Sequence, residues 1–468
     1  MKINFLGAAQ NVTGSKHLIQ TDGYNLLLDC GLYQGKRSES NKQNSTLPFD
    51  AKEINAVILS HAHLDHCGTL PILIKNGFEG KIYCTKATAE IAKYILLDSA
   101  DIQVHDAEYL NRHLKNGQEK IIPIYTAEDV QKTIDYFEPI DYFRTSNKWT
   151  QLNENIRFKL YDAGHILGSA VIFIEIKEEG ATKTLAFTGD LGRDASPILR
   201  SPEIITESTD TLLTECTYGG RLHRPVSDAE TDFKNIIIEA IKNKSKIIVP
   251  AFSLGRTQEI IYLLHKLFDE KAIPSLPVYV DSPLAENITD IFSKYTESFD
   301  NEFWKDFGQR GDNPFILENL TYVKTIEESK ALNDKKGPFM VISASGMAEG
   351  GRILHHLKNN IGDPNNIILI TGYQAENTLG RRIQEGLSPV KIYGESYRVE
   401  AKIITLNEFS AHADQEGLLN YIKSIKELKR IFLVHTEMSE AKIFESILQK
   451  LLPSIPIEIP SMGQSAEL

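Results

Sequence analysis

Three histidines and one aspartate fall within six residues of the sequence. They form the run His61-Ala62-His63-Leu64-Asp65-His66, which follows the apolar, strand-like segment 55–60. Imidazole nitrogens and carboxylate oxygens are ligands that Zn²⁺ prefers. In an extended backbone His61 and His63 point to the same side, so both can bind one ion. Asp65 and His66 follow the bend and can reach a second ion. The run therefore predicts a metal site, because protonated histidines packed this closely would repel each other.

Three further candidate residues follow segments that are predicted to be strands. Asp29 ends the run Leu26-Leu27-Leu28, His165 lies in Ala163-Gly164-His165, and Asp190 lies in Thr188-Gly189-Asp190. Each of them alone is typical of a loop or turn. Their value as ligands depends on the fold bringing them together.

The chain order of these residues resembles the metallo-β-lactamase superfamily. The resemblance implies an α/β fold, an αββα sandwich with the metals at one edge of its two sheets. It also implies that Asp29 orients the ligand-bearing loop from behind the metals. It further implies two Zn²⁺ per chain, with seven ligands: His61, His63 and His165 on one ion, Asp65, His66 and His435 on the other, and Asp190 between them.

Further motifs narrow the resemblance to the β-CASP nucleases. Residues 213–219 (LTECTYG), 409–414 (FSAHAD) and 433–437 (LVHTE) resemble three signatures of that family. The similarity is greatest to the endonuclease subunit that cleaves mRNA precursors at the 3′ end and to its prokaryotic counterparts. Between 227 and 386, helices alternate with apolar strands, which indicates a separate parallel α/β domain. The predicted domains are a first metallo-β-lactamase part, an inserted β-CASP domain and a second metallo-β-lactamase part: 1–212, 213–396 and 397–468.

The resemblance also suggests a mechanism. Histidine at position 435 goes with RNA-cleaving members of the family, whereas DNA-processing members carry valine. Thr436 departs from the usual glycine, which puts the geometry of the His435 loop in question. Glu215 and His412 are expected to pair beside the metals. The hypothesis is that a metal-bridged hydroxide attacks phosphorus, with Asp65 and Asp190 on the metals, and that His412 protonates the leaving oxygen.

Two segments of the inserted domain are candidates for binding RNA phosphates. Predicted helix starts after Ser253 and after Ser345 offer backbone N–H groups to anions, and Arg256 and Arg352 can assist. Gly-Arg at a helix start is equally typical of a cap with a surface ion pair. The basic pair Arg381-Arg382 is predicted to lie on a solvated face.

Composition and charge argue against several other classes of protein. The formal charge of −12 argues against a protein that coats nucleic acid by bulk charge. No apolar run approaches the roughly 18 residues of a membrane span, and no signal peptide is evident, so we expect a cytoplasmic protein without membrane contact. The four cysteines are far apart and are expected to be buried thiols: Cys30, Cys67, Cys84 and Cys216.

The sequence therefore predicts a zinc-dependent ribonuclease acting in RNA processing or decay. It does not decide whether the enzyme cuts RNA internally, as an endonuclease, or from the 5′ end, as a 5′-exonuclease. It also does not decide whether the protein forms a homodimer or binds other protein partners. Two alternatives are a zinc hydrolase of a small ester or thioester and a non-catalytic RNA-processing scaffold. The long insertion argues against the first alternative, and the full set of seven ligands argues against the second.

Overall fold

The structure is a computed structural model that describes most of the chain. The described residues are 1–35, 43–112, 114, 120–194, 196–308, 311–372, 374–375, 377–406 and 410–468. They form two compact units. Unit 1 comprises Met1–Asp194, Ser201–Leu222 and His412–Leu468, and unit 2 comprises Ala195–Arg200 and His223–Ala411.

The strands are short and apolar. In chain order they are β1 Lys2–Phe5, β2 His17–Thr21, β3 Tyr24–Leu28, β4 Ala56–Ile58, β5 Lys81–Thr85, β6 Phe137–Ile140, β7 Thr150–Gln151, β8 Ile156–Asp162, β9 Ala170–Glu178, β10 Ala181–Phe187, β11 Thr211–Glu215, β12 Lys246–Pro250, β13 Val278–Asp281, β14 Leu320–Tyr322, β15 Phe339–Ser343, β16 Ile367–Thr371, β17 Val390–Ile392, β18 Glu395–Tyr397, β19 Lys402–Leu406, β20 Arg430–Val434, β21 Ile457–Glu458 and β22 Ser465–Glu467.

The helices range from one turn to seven. In chain order they are α1 Leu64–Cys67, α2 Leu70–Lys75, α3 Lys86–Arg112, α4 Ala127–Ile134, α5 Phe143–Ser146, α6 Val226–Asn243, α7 Arg256–Asp269, α8 Pro283–Phe292, α9 Asn301–Asp306, α10 Ile326–Asp334, α11 Ile353–Asn360, α12 Leu379–Gln384, α13 Gln415–Ser424 and α14 Met438–Leu451. Within the described residues, no helix is long and apolar enough to cross a membrane.

Unit 1 is a sandwich of two seven-stranded sheets. Their orders are β22-β1-β2-β3-β4-β5-β6 and β21-β20-β11-β10-β9-β8-β7. Side chains from both sheets, such as Phe5 and Leu28 from the first and Phe187 from the second, form one buried core. Helices α13 and α14 cover the outer face of the second sheet through Leu418 and Phe444, and α3 packs on β5 and β6. The predicted αββα sandwich is confirmed.

The topology of unit 1 brings several strand ends to one place. Strands β3 and β4 are parallel in the first sheet, and β10, β11 and β20 are parallel in the second. The segments that follow the carboxyl ends of these strands therefore emerge at the same edge of each sheet.

Unit 2 is built on one six-stranded sheet of order β14-β13-β15-β12-β16-β19, in which all neighbours are parallel. Strands β12, β15 and β16 carry buried side chains at all or nearly all positions, as a sheet covered by helices on both faces requires. Strands β17 and β18 form a separate antiparallel hairpin.

The sequence predicts a helix over 351–360, and the structure has α11 over Ile353–Asn360, two residues shorter at its start. Ala348 and Gly351 have φ values of 56° and 77°, and this left-handed backbone cannot belong to a right-handed helix. The sequence predicts one long helix or a helical pair over 86–116, and the structure has the single helix α3, with residues 113, 115 and 116 outside the described residues.

Candidate metal centre

Strand ends deliver the predicted ligands to one pocket of unit 1. His61 and His63 follow β4, His165 follows β8, Asp190 follows β10, and His435 follows β20. They converge because the carboxyl ends of these strands share an edge. The loops of His165 and Asp190 pack backbone to backbone, since Gly192 donates its N–H to the carbonyl of Ala163 at 2.7 Å.

The predicted ligands of the first ion form one cluster, comprising His61, His63, His165 and Asp190. The nitrogen His61 Nε2 lies 3.1 Å from His63 Nδ1, and His63 Nδ1 lies 3.3 Å from His165 Nε2. Asp190 Oδ2 lies 3.4 Å from both His61 Nε2 and His165 Nε2. Tetrahedral ligands at about 2.0–2.1 Å from Zn²⁺ are roughly 3.3–3.4 Å apart, so these spacings suit a tetrahedral cation.

Asp65, His66 and His435 form a second cluster next to the first. His435 Nε2 lies 3.4 Å from Asp65 Oδ2, and His66 Nε2 lies 3.2 Å from Asp190 Oδ1. The two oxygens of Asp190 therefore face the two clusters, as a bridging carboxylate requires.

The donor atoms lack the partners that buried polar atoms normally have. Among the described residues, His66 Nε2 and Asp190 Oδ1 are both buried without a hydrogen bond. A buried polar atom without a partner costs about 1–3 kcal/mol, and more when it is charged. Cations at the two clusters would satisfy these atoms, so the residues present fit the metals that the sequence predicts.

The pKa values of most groups in the pocket favour binding of a metal ion over binding of protons. Burial lowers the pKa of His61 and His165, and it lowers the pKa of His63 to about 3. Neutral imidazoles present the lone pairs that metal binding needs. Burial by itself raises the pKa of Asp190, but the surrounding imidazoles, His435 and His66 foremost, hold that pKa well below its usual range.

His66 is the exception among the predicted ligands. Burial lowers its pKa, but the carboxylates of Asp190 and Asp29 outweigh burial and raise the pKa well above its ordinary value. A cation bound between His66 and Asp190 would take the place of the proton that these carboxylates attract.

Asp29 supports the cluster from behind, in the place expected for it. It is fully buried, and His66 Nδ1 lies 2.6 Å from its Oδ2. Oδ1 accepts the N–H of Ser60, and Oδ2 accepts the hydroxyls of Ser60 and Ser15. The backbone of Asp29 is left-handed, with φ of 59°. A strained backbone of this kind persists only where many surrounding contacts hold it, as around metal sites.

Glu215 and His412 form the expected pair. Glu215 is fully buried at the end of β11, and His412 Nδ1 lies 2.9 Å from Glu215 Oε1. The same oxygen accepts the N–H of Leu191. His412 Nε2 lies 3.9 Å from Asp190 Oδ2. Burial lowers the pKa of His412, but the charges of Glu215 and Asp190 raise it to about 9.

Backbone contacts hold His412 in this place. Residue 412 forms a bridge with Gly192, and Ala413 donates its N–H to Leu191 at 2.8 Å. Asp414 caps α13 by accepting the N–H of Gly417. These contacts at residues 412–414 hold the imidazole of His412 in the pocket.

Two polar residues of the site escaped the sequence analysis. The hydroxyl of Ser60 lies 3.0 Å from His61 Nδ1, and the hydroxyl of Thr217 lies 3.3 Å from His435 Nδ1. Ser60 contacts the ring nitrogen of His61 that faces away from the cluster, whereas the His435 nitrogen that Thr217 contacts also lies 3.5 Å from Asp190 Oδ1. Each hydroxyl thereby orients a predicted ligand. Ser60 directly precedes the histidine run, and this adjacency was the available signal. Thr436 also bonds within the site region, because its hydroxyl donates to the carbonyl of Cys216 at 2.8 Å.

The residues predicted to bind phosphates lie in unit 2 and have partners inside the protein. The hydroxyl of Ser253 lies 3.0 Å from that of Ser282, and the hydroxyl of Ser345 accepts the N–H of Glu349 at 3.1 Å. Arg256 is buried and pairs with Glu259. Arg352 Nη1 binds Asp281 Oδ1 at 2.6 Å. Their role in binding RNA stays a prediction.

Comparison with known proteins agrees with this fold and site. Three family models match: a metallo-beta-lactamase superfamily domain over residues 18–199, a Beta-Casp domain over 257–383, and a Zn-dependent metallo-hydrolase RNA specificity domain over 396–460. Together with the αββα sandwich and its histidine–aspartate clusters, these matches define a metallo-hydrolase that binds divalent metal.

Named relatives match over almost the whole chain. Ribonuclease TTHA0252 of Thermus thermophilus is 37% identical over 437 residues, which cover 93% of each chain. The RNase J-like protein of Methanocaldococcus jannaschii is 32% identical over 98% of each chain. Transcription termination factor FttA of the same organism is 31% identical over 96% of this chain and 69% of that protein. The chain belongs to the β-CASP family of metallo-β-lactamase-fold hydrolases, and the predicted family is confirmed.

A solved structure has the same fold. It is the crystal structure of a protein of unknown function from Enterococcus faecalis V583, with a TM-score of 0.54 and 15% identity. The match covers 100% of this chain and 99% of that chain.

Proposed function

We propose that this protein is a ribonuclease that hydrolyses phosphodiester bonds of RNA with two Zn²⁺ ions per chain. The observation that carries the proposal is the pair of clusters around Asp190, whose two oxygens face two sets of imidazoles. The relatives support RNA as the substrate, since one is named a ribonuclease and another an RNase J-like protein. When bound, two cations would supply a nucleophile at neutral pH and relieve the charge on the phosphate.

The ligand set divides between the two ions. We propose His61, His63 and His165 for the first and Asp65, His66 and His435 for the second, with Asp190 shared. The spacings of 3.1–3.4 Å within the first cluster support this division. Inductively coupled plasma mass spectrometry of protein purified without chelator tests both the identity and the number of the metals.

His412 is the proposed proton donor to the leaving oxygen. Its Nδ1 is held by Glu215, so Nε2 carries the remaining proton and is directed towards Asp190 at 3.9 Å. With a pKa of about 9, His412 is protonated at pH 7, which an acid requires. A cation on Asp190 opposes this shift, because like charges disfavour the imidazolium form and bring the pKa nearer to neutrality.

Single-turnover cleavage of labelled RNA by His412→Ala tests this role. We expect the rate to fall by about 10²–10⁴-fold with the metal content unchanged, the usual contribution of a positioned acid. His105→Ala is the matched control, because His105 is exposed on α3 and binds only a carbonyl of its own helix. Unchanged chemistry in His412→Ala at full metal content would remove His412 from the acid role.

The two alternatives from the sequence are not favoured. Relatives that match the chain from end to end include a ribonuclease, and none of those named above is a small-ester hydrolase. A scaffold would not need the complete donor set found in the two clusters. Cleavage of circular RNA would assign endonuclease action, and dependence on a free 5′ end would assign 5′-exonuclease action.

A further inference from the structure

Unit 2 contains a small cavity that the proposed mechanism does not use. It has a volume of about 130 Å³ and lies among the loop before α11, the first turns of α11 and α12, and the β17–β18 hairpin. We call it the hairpin pocket, and its lining residues are Ala348, Glu349, Leu354, Leu379, Arg382, Lys391, Ile392 and Tyr393.

The hairpin pocket carries two cations without anionic partners. Among the described residues, Arg382 Nε is buried and has no hydrogen bond, and neither Arg382 nor Lys391 forms an ion pair. Glu349 also lines the pocket, but its Oε1 accepts the N–H of Leu379 at the start of α12, and among the described residues it forms no ion pair with Arg382 or Lys391. A buried guanidinium N–H without an acceptor is costly, so this arrangement suits an anion supplied from outside.

The neighbouring arginine provides a contrast. Arg381 precedes Arg382 on the same helix, and its Nε binds Glu385 Oε1 at 2.6 Å. The sequence suggested that both arginines lie on a solvated face. That description fits Arg381, whereas Arg382 lines the cavity.

An aromatic ring forms the outer wall of the hairpin pocket. Tyr393 is 54% exposed and occupies the first position of the two-residue turn between β17 and β18. Tyr393 and Gly394 have φ values of 52° and 82°, a left-handed pair for which Asn, Asp and Gly are preferred. The Tyr393 hydroxyl lies 3.0 Å from His355 Nε2, so the ring is held in place. A tyrosine at this backbone position is unfavourable for the turn alone.

The size of the hairpin pocket indicates what kind of ligand it fits. Sites for whole small molecules usually measure about 300–1,000 Å³, so 130 Å³ accommodates only a fragment such as one unit of a polymer. Cations recognise phosphate, while an aromatic ring with an apolar floor recognises a base. Single-stranded nucleic acid presents both groups in each repeating unit, and the proposed ribonuclease function selects RNA.

We propose that the hairpin pocket binds one nucleotide of the RNA substrate, with its base against Tyr393 and its phosphate at Arg382 and Lys391. This inference rests on the proposed ribonuclease function. It adds a contact that holds the strand without taking part in the chemistry.

Binding of a fluorescently labelled single-stranded RNA, measured by anisotropy in chelator, tests the proposal. We expect Arg382→Gln to weaken binding about tenfold and to reduce the slope of log affinity against log salt by about 0.7, the value for one lost phosphate contact on a single strand. Tyr393→Asn should weaken binding about fivefold or more through lost stacking, while asparagine preserves the turn. The matched control is Arg381→Gln, which removes the same charge from the same helix and should change the affinity less than twofold.

Three outcomes would overturn the proposal. One is an equal loss in Arg381→Gln and Arg382→Gln, which would indicate diffuse charge. Another is unchanged RNA affinity in both Arg382→Gln and Tyr393→Asn. The third is inorganic phosphate or AMP bound through Arg382 while RNA affinity stays the same, which would indicate a small-anion site.

Cleavage kinetics separate this proposal from the ribonuclease proposal. With metal present, Arg382→Gln should raise KM about tenfold and leave kcat unchanged. If the wild type binds RNA through the hairpin pocket but never cleaves it, the ribonuclease proposal is wrong and the proposal for the hairpin pocket is supported. If the wild type cleaves RNA and the variants retain wild-type KM, only the pocket proposal fails.

Discussion

The two units each bury an aspartate at the end of a strand beside histidine, yet the two environments differ. In unit 2, Asp281 accepts bonds from Arg352 Nη1 at 2.6 Å, His356 Nε2 at 2.6 Å and Ser329 Oγ at 2.5 Å. In unit 1, Asp190 is equally buried, but its Oδ1 has no hydrogen bond among the described residues. The first carboxylate has its hydrogen-bond partners within the protein, whereas the second has an oxygen that a bound cation would satisfy.

This difference separates a structural polar cluster from a metal site. The residue types are similar in the two places, so composition does not distinguish them. What distinguishes them is the presence of arginine and hydroxyl donors around Asp281 and of imidazoles around Asp190. A guanidinium is always charged and donates bonds, whereas a neutral imidazole offers a lone pair.

Asp190→Asn should have the largest effect. Loss of the shared carboxylate charge removes a ligand from both clusters. We therefore expect RNA cleavage to fall by about 10³-fold or more, corresponding to ~4 kcal/mol of activation free energy. The metal content, measured by mass spectrometry, should fall as well. Full metal content together with wild-type cleavage would show that Asp190 is not shared between two ions.

Asp281→Asn, the same substitution in the other unit, should act on stability instead. It leaves Arg352 and His356 without their counter-charge, which costs about 3–5 kcal/mol when a buried pair is broken. Urea denaturation should report this loss, while metal content and single-turnover cleavage below the unfolding transition stay at wild-type values. Loss of metal in Asp281→Asn would mean that the two carboxylates are not functionally distinct.

Glu215→Gln should have a smaller effect on cleavage. Removing the charge that holds His412 lowers the pKa of the imidazole and loosens its orientation, so we expect kcat to fall about 10–100-fold. Glu440→Gln is the control, since Glu440 is also buried and also accepts a backbone N–H, that of Gly220. Equal losses in the two variants would indicate a general effect of buried carboxylates.

His17 and His356 extend the comparison to histidines. His356 is bonded to Asp281, whereas both ring nitrogens of His17 lack hydrogen bonds among the described residues. The rings of Phe5 and Phe187 lie against His17 at centroid distances of 5.8 and 5.4 Å. Burial lowers the pKa of His17 to about 3, although the charge of Asp29 opposes this shift.

The pH dependence of stability follows from this lowered pKa. Above pH 6.5 His17 is neutral in both the folded and the unfolded chain. Below that pH the unfolded chain binds a proton that the folded chain does not, so stability falls until about pH 3. Between pH 7.5 and 5.5, chelated wild type should lose about 1.4 kcal/mol more unfolding free energy than chelated His17→Leu. Parallel pH profiles for the two proteins would contradict this account.

Several elements followed from local sequence alone. The sequence predicts strands over 81–85 and 156–162, and β5 and β8 have these bounds. Short runs of β-branched and aromatic residues between turns favour strands over other structures. The run from His61 to His66 was also decisive, since ligands close in the chain need no tertiary information to be recognised as a set. The four cysteines are buried and unpaired, as expected.

Other features were decided by the tertiary structure. Nothing local marks Thr217 as a support for a ligand or separates Arg382 from Arg381, because these roles depend on which segments pack nearby. The sequence by itself therefore determined the family, the fold class and a set of candidate ligands. The folded chain decided which polar groups have partners and which do not, because that depends on contacts between residues far apart in the chain.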